Sequence, residues 1–212
     1  MLNDVSDNMT QFKLTYFNVM GLGEPIRFLL SYGGHKFEDI RVEREKEWLK
    51  MKPNTPFGQL PILEIDGKPY AQTLPICHYL AKNMDLIGST ELDALQIDAI
   101  VAALADLRKQ VALFYREENA EKKAKRKEET VKTIVPFYLD KLEQLANNNG
   151  GFLHGGQLSY ADIFFVAIYD SLANACTIDI TENRPKLKLL RDKILNIPNI
   201  KAWVEKRPKL EF

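Results

Sequence analysis

Between Phe12 and Met84 short apolar runs with strand-like alternation are interleaved with helix signals, and after residue 90 no convincing strand signal returns. That switch restricts the fold to an α/β unit of about 75 residues joined to an all-helical unit of about 120. The boundary falls at Asp85 to Thr90, where Gly88 and Ser89 break the pattern.

Within the first unit, Lys13 to Phe17 forms a strand with Tyr16 near its end, and the chain then turns through Gly21 and Gly23 into a helix at Glu24-Pro25. Proline suits a first helical turn because its missing N–H would have no partner there and its φ is already helical. A hydroxyl placed at a strand end, just before a helix, stands where ligands of open α/β sheets bind; a core tyrosine with a satisfied hydroxyl is the competing reading. The helix from Glu24 to Tyr32 closes at Gly33-Gly34, Lys36 to Arg41 is a second strand, and Glu43 to Lys52 is a weak helix that stops before Pro53. A turn-rich Pro56 to Pro61 loop leads into a strand at Ile62 to Ile65. Asp66-Gly67 then specifies a tight hairpin to Lys68–Ala71, and Thr73 is expected to cap a helix that runs to Met84.

In the second unit one helix is expected from Glu91 to about Asn119, with Leu92, Leu95, Ala99, Ala102 or Ala103, and Leu107 as its apolar stripe. Another is expected from about Glu121 to Ala146. Ser159-Tyr160-Ala161-Asp162 has capping-box spacing with Asp in the acid position, and the run after it is apolar all round, so this helix should be the buried centre of the unit. Two shorter helices follow, at Pro185 to Asn196 and Pro198 to Arg207.

Composition narrows the function. The 29 basic and 29 acidic residues cancel, so no global field attracts nucleic acid or an anionic membrane. Lys122 to Lys127 is flanked by Glu121, Glu128 and Glu129 and fits a solvated helix face. No apolar run approaches the roughly 20 residues that span a bilayer, and Met1 to Gln11 shows no secretory h-region. Residues 1–11 are expected to be a disordered or extended N-terminal extension, with Met9 a second candidate start. Cys77 and Cys176 make neither a disulfide framework nor a zinc site, and His35, His78 and His154 lack metal-ligand spacing, so no metal and a cytoplasmic location are expected.

Taken jointly and in order, several segments resemble the cytosolic glutathione transferases, sigma class, over nearly the whole chain. They are Leu14-Thr15-Tyr16-Phe17 with the Gly-x-Gly-Glu-Pro-Ile-Arg that follows, Pro56 to Leu63, Asp66-Gly67, Gln72-Thr73, Ser159-x-Ala161-Asp162, and Trp203-x-x-x-Arg207-Pro208. The resemblance implies a thioredoxin-like, glutathione-binding N-terminal domain over 12–84, a linker at 85–90, an all-α C-terminal domain over 91–212 that supplies the electrophile pocket, and a homodimer. It implies glutathione as co-substrate, small hydrophobic electrophiles as partners, and detoxification of lipid peroxidation products as the role. A glutathione-dependent isomerase of the prostaglandin D synthase type and a non-enzymatic crystallin-like relative are the alternatives.

On that resemblance Tyr16 is the catalytic residue, donating a hydrogen bond to the glutathione sulfur. Lowering the thiol pKa by about two units from about 8.5 needs roughly 2.7 kcal/mol, and a charge-assisted hydrogen bond supplies roughly 1.5 to 3 kcal/mol. Trp48 and Lys52 are expected to hold the glycyl end, with Gly58 and Gln59 beside it and the Leu60 backbone, bent by a cis Pro61, pairing with the cysteinyl part. Gln72 and Thr73 would meet the γ-glutamyl carboxylate at a helix N-terminus. Asp106 would reach across the dimer, and Phe17, Leu22, Arg108 and Leu113 would line the electrophile pocket. Met20 and Leu22 leave the turn without a cation, so Tyr16 is expected to stabilise the thiolate with less help than in relatives that place arginine there.

Overall fold

The computed structural model describes residues 10–210; the expected N-terminal extension falls, apart from its last two residues, outside that span. Strand β1 (Phe12–Phe17) is followed by helix α1 (Glu24–Tyr32) and strand β2 (Phe37–Val42), which pairs parallel to β1. Strands β3 (Ile62–Ile65) and β4 (Lys68–Ala71) complete a sheet of order β2-β1-β3-β4, with β3 antiparallel to both neighbours. Asp66 and Gly67 both take positive φ, 50° and 80°, the two-residue turn whose twist matches the strands it joins. At the end of α1, Gly34 takes φ 69° while the His35 and Gly34 amides donate to the Leu30 and Ser31 carbonyls.

Between β2 and β3 the backbone makes a π turn (Arg44–Trp48), a single α turn α2 (Leu49–Met51) and a 3₁₀ turn (Lys52–Asn54) rather than one helix. Trp48, Leu49, Met51 and Lys52 nonetheless keep right-handed helical backbone angles through these turns. Helix α3 (Thr73–Lys82) follows β4. Its N-cap is Gln72 at φ 76°, not Thr73, which is the first helical residue and is buried.

The helical part begins with α4 (Glu91–Tyr115), capped by a Thr90–Asp93 box. It ends four residues before the expected Asn119, because Asn119 turns outward and its side-chain oxygen accepts from the Lys122 amide to start α5 (Ala120–Glu129). A π segment (Thr130–Ile134) then leads into α6 (Val135–Asn148), which holds Pro136 in its first turn, where the absent N–H breaks the regular ladder. The buried face of α4 is Ile97, Val101, Leu104, Leu107, Val111 and Phe114, whereas Leu92 and Leu95 of the expected stripe are 70% and 64% exposed. Apolar residues on both faces of α4 made either stripe compatible with helical spacing.

Helix α7 (Tyr160–Cys176) is the centre expected of it, with almost every side chain buried. It packs against α4, and against α1 of the other unit. Ser159 and Asp162 form the capping box, and the remaining Asp162 oxygen accepts from the Leu153 amide at 2.8 Å. Helices α8 (Pro185–Leu195) and α9 (Pro198–Lys206) close the fold. One apolar core runs from β1 and α1 through α7 to Trp203, so the two units share an interior. A second, smaller cluster of Tyr16, Val42, Leu60 and Ile62 lies under the end of β1.

Candidate active site

Register places Tyr16 at an edge of the sheet's pairing. β3 pairs with β1 only as far as Thr15, opposite Ile62, so Tyr16 is the first β1 residue past that ladder, at the level where the chain passes through Leu60 and Pro61. The ring is 4% exposed and packs with Leu60. Its hydroxyl accepts a 3.0 Å hydrogen bond from the Leu22 amide. A phenol that accepts from a backbone N–H still has its own proton to donate.

The two glycines of the turn are explained by this ring. A Cβ on Gly21 would stand 2.7 Å from the Tyr16 hydroxyl, and one on Gly23 would stand 2.7 Å from its Cδ1. Gly21 also takes φ 43°, where a side chain is strained.

Beneath the turn lies a buried charge network. Arg27, fully buried, donates to Asp39 at 2.9 Å, to Glu24 at 3.0 Å and to the Val19 carbonyl at 3.1 Å, and its guanidinium lies 5.8 Å from the Tyr16 ring centroid. Glu24, also fully buried, accepts from the Trp203 indole at 2.9 Å and from Arg207 at 2.8 Å, and Arg207 reaches Asp170 of α7 at 2.6 Å. The C-terminal Trp203 and Arg207 are thus tied to the turn that carries Tyr16. Sequence reasoning assigned Glu24 only a helix start; its Arg three residues on was the available signal.

A cavity of about 330 Å³ opens beside Tyr16, walled by Val19 and Gly21 of the turn, Arg44, the Arg108, Val111, Ala112 and Tyr115 face of α4, Arg116, and Ser171 and Leu172 of α7. Of the four side chains expected to line a pocket, Arg108 does so. Leu113 is one helical step off that face and 49% exposed. Phe17 is held between the Arg44 guanidinium, 4.6 Å from its centroid, and the Trp48 ring at 5.7 Å. Leu22 contributes its backbone to Tyr16 instead and packs in the small cluster beneath. Tyr16 nonetheless has cations nearby. The turn has none, but Arg27 lies beneath the ring and Arg108 lines the same cavity, its pKa lowered because burial disfavours its charge. These cations come from other elements, so spacing along the turn could not reveal them.

Further along the same edge, the Leu60-Pro61 peptide is cis. The Gln72 amide donates to the Gln59 side-chain oxygen at 3.0 Å, which brings together two side chains expected to touch one ligand. Gln72 holds its positive φ at the start of α3, and the Thr73 hydroxyl donates to the Leu22 carbonyl at 3.1 Å. The first-turn amides of α3 have no intrahelical acceptor, which makes them donors for an anion. Gly58 takes φ 60° against the Lys52 stem, and Lys52 itself is exposed. Asp106 is exposed on α4, away from the cavity wall.

Residues 12–82 match the family model for the glutathione S-transferase N-terminal domain, and residues 105–207 match that for the glutathione S-transferase C-terminal domain. The chain belongs to the glutathione S-transferase family. Glutathione S-transferase S1 of Drosophila melanogaster is 40% identical over 200 residues, covering 94% of this chain and 80% of that protein. Hematopoietic prostaglandin D synthase of Rattus norvegicus is 37% identical over 205 residues, covering 96% of this chain and 100% of the relative. The solved structure of prostaglandin synthase D of Nilaparvata lugens matches with a TM-score of 0.89 at 44% identity, covering 94% of this chain and 100% of the other. The architecture is the one this family has, a thioredoxin-like domain beside a helical one, and the family uses glutathione as co-substrate. Among the described residues no group of three or more His, Cys, Asp or Glu side chains could hold a metal, and no helix is long and apolar enough to cross a membrane.

Proposed function

We propose that this transferase, of sigma-class type, activates the glutathione thiol as a thiolate through the Tyr16 hydroxyl and conjugates it to electrophiles held in the adjoining cavity. The observation that carries the proposal is the Tyr16 hydroxyl itself, oriented by the Leu22 amide and left with its proton at the cavity wall. Donation to sulfur stabilises the anion more than the thiol, so it lowers the thiol pKa without Tyr16 acting as a base. Glutathione would lie along the edge formed by Lys52, Trp48, Gly58, Gln59, Leu60, Pro61, Gln72 and Thr73. The α3 N-terminus would take the γ-glutamyl carboxylate and Lys52 the glycyl one. In that arrangement residues 12–84 bind glutathione, residues 85–90 connect, and residues 91–212 supply the electrophile side.

The exposed Leu92 and Leu95 of α4, with Tyr70 and Tyr79 of the other unit, offer apolar surface for a second copy, and Asp106 would reach the glutathione of that partner. Two free, buried cysteines fit a reducing compartment, the cytoplasm, where removal of lipid peroxidation products is a role for such an enzyme. The deciding experiment is an electrophile panel, activated aryl halides and enals, run with glutathione present and absent. Glutathione-dependent adducts are expected, and failure both to form adducts and to bind a glutathione column would leave a non-enzymatic relative.

Similarity to proteins named prostaglandin D synthase supports a second reading, isomerisation of a prostaglandin endoperoxide. Ala102 and Ala105 stand around Asp106, so the acids of a cation site on that helix are missing here. Chromatography of the products from prostaglandin H2 separates the two readings.

A further inference from the structure

Three arginines border the cavity, and the described side chains give it no carboxylate in return. Arg108 and Arg116 both come from the α4 side, eight residues apart, so their Cα atoms are separated by about 12 Å along the axis. Arg44 comes from the loop after β2. Of the three, Arg108 is half-buried while Arg44 and Arg116 are exposed; elsewhere in the fold, arginines with little exposure are paired: Arg27 with Glu24 and Asp39, Arg207 with Glu24 and Asp170. Among the described residues none of the three cavity arginines has an ion pair with an Asp or Glu side chain.

Burial disfavours the Arg108 charge, the neighbouring Tyr16 offsets part of that, and the cationic Arg116 disfavours the charge further. A half-buried guanidinium with a cationic neighbour and no counter-ion is the environment that an anion relieves, with the planar fork suited to a carboxylate. The rest of the wall, Val111, Ala112 and Leu172, is apolar. Such a cavity suits an aliphatic chain that ends in a negative charge.

We propose that the electrophile pocket selects substrates with a terminal carboxylate, fatty-acid-derived enals and enones, with Arg108 and Arg116 holding the carboxylate and Arg44 adding to the attraction from the rim. The assignment rests on the transferase reading above, in which glutathione's own carboxylates are met by Lys52 and the α3 N-terminus. In the reaction the thiolate sulfur bonds to the β-carbon, the C=C pair moves through the carbonyl to give an enolate, and water protonates the α-carbon. The proton released from the glutathione thiol goes to solvent, so the net change is addition of H and S across the double bond. The substrate carboxylate takes no part in bond making, which confines its effect to binding and aim.

The test compares three nine-carbon enals that differ only at the far end, in carboxylate, methyl ester or methyl, by kcat/KM at saturating glutathione. Wild type should favour the carboxylate over the ester by about 10- to 100-fold, the span of one or two charge-assisted hydrogen bonds. That ratio should shrink toward 1 in Arg108→Gln and Arg116→Gln, persist in large part in Arg108→Lys and Arg116→Lys, and decline with added salt. A wild-type ratio at or below 1 overturns the proposal. So does an equal loss for acid and ester in the Gln variants, which would assign these arginines to the thiolate or to folding. Should wild type conjugate neither the enals nor an activated aryl halide, the transferase reading falls and this one with it; a flat ratio with active conjugation sinks this one alone.

Discussion

Tyr16 and Thr73 meet on the backbone of Leu22: the Leu22 amide donates to the Tyr16 hydroxyl at 3.0 Å, and the Leu22 carbonyl accepts from the Thr73 hydroxyl at 3.1 Å. The first residue of α3 and the tyrosine are thereby held to one residue of the turn. Thr73→Val keeps the shape and removes the donor, so it should cost about 1–2 kcal/mol in urea unfolding and lower kcat through the turn. Thr73→Ser should behave as wild type; a Val variant with unchanged kcat would show that Tyr16 is aimed without this contact.

The turn glycines make a sharper steric prediction. Gly23→Ala puts a methyl 2.7 Å from the Tyr16 ring at an ordinary φ, so only crowding is tested. Conjugation should fall at least tenfold and stability by about 1–3 kcal/mol. Gly21→Ala adds backbone strain to a 2.7 Å approach to the hydroxyl and should be worse on both counts. Full activity in Gly23→Ala would mean that the ring can shift without loss.

Much of this fold was legible in advance, for reasons that differ from element to element. Asp66-Gly67, Ser159-x-x-Asp162 and Glu24-Pro25 are local chemistry, where a turn or cap is specified by adjacent residues, and the structure has each as expected. The face that α4 buries was not legible, because Leu92 and Leu95 satisfy helical spacing as well as Ile97 and Val101 do, and packing partners choose between them. The cavity wall was legible at Tyr16 and at Arg108. Helical spacing from that residue leads to Val111, Ala112 and Tyr115, but Arg44 and Leu172 join them through tertiary placement, which no interval along the chain encodes.

Glu24 links α1 to the C-terminal Trp203 and Arg207 from a fully buried position. Glu24→Gln leaves Arg27 and Arg207 without their shared charge and should destabilise by roughly 3–5 kcal/mol. Chemical denaturation should show one lowered, still cooperative transition, since the two units share a core. A change below about 0.5 kcal/mol would show that Asp39 and Asp170 suffice for the two arginines.

The buried cap of α7 predicts an unusual pH dependence. Burial pushes the Asp162 carboxyl up to about 6, against the lowering effect of its hydrogen bonds from Leu153 and Ser159. An acid whose folded pKa is raised contributes stability that is full below its unfolded pKa of about 3.8 and is lost as pH rises through about 6. The cost of Asp162→Ala in unfolding experiments should therefore grow as pH drops from 7 to 4, by up to about 3 kcal/mol. A cost that shrinks over that interval would mean that the carboxylate form is the better cap.

The central claim is that the Tyr16 hydroxyl stabilises the thiolate of bound glutathione, and ultraviolet titration of the thiolate in the binary complex tests it directly. With wild type the apparent thiol pKa should fall about two units below its free value of about 8.5. Tyr16→Phe should return it close to 8.5 while the glutathione Kd changes by less than about threefold. A titration curve that is the same in both proteins, or one already near 8.5 in wild type, would contradict the assignment of Tyr16.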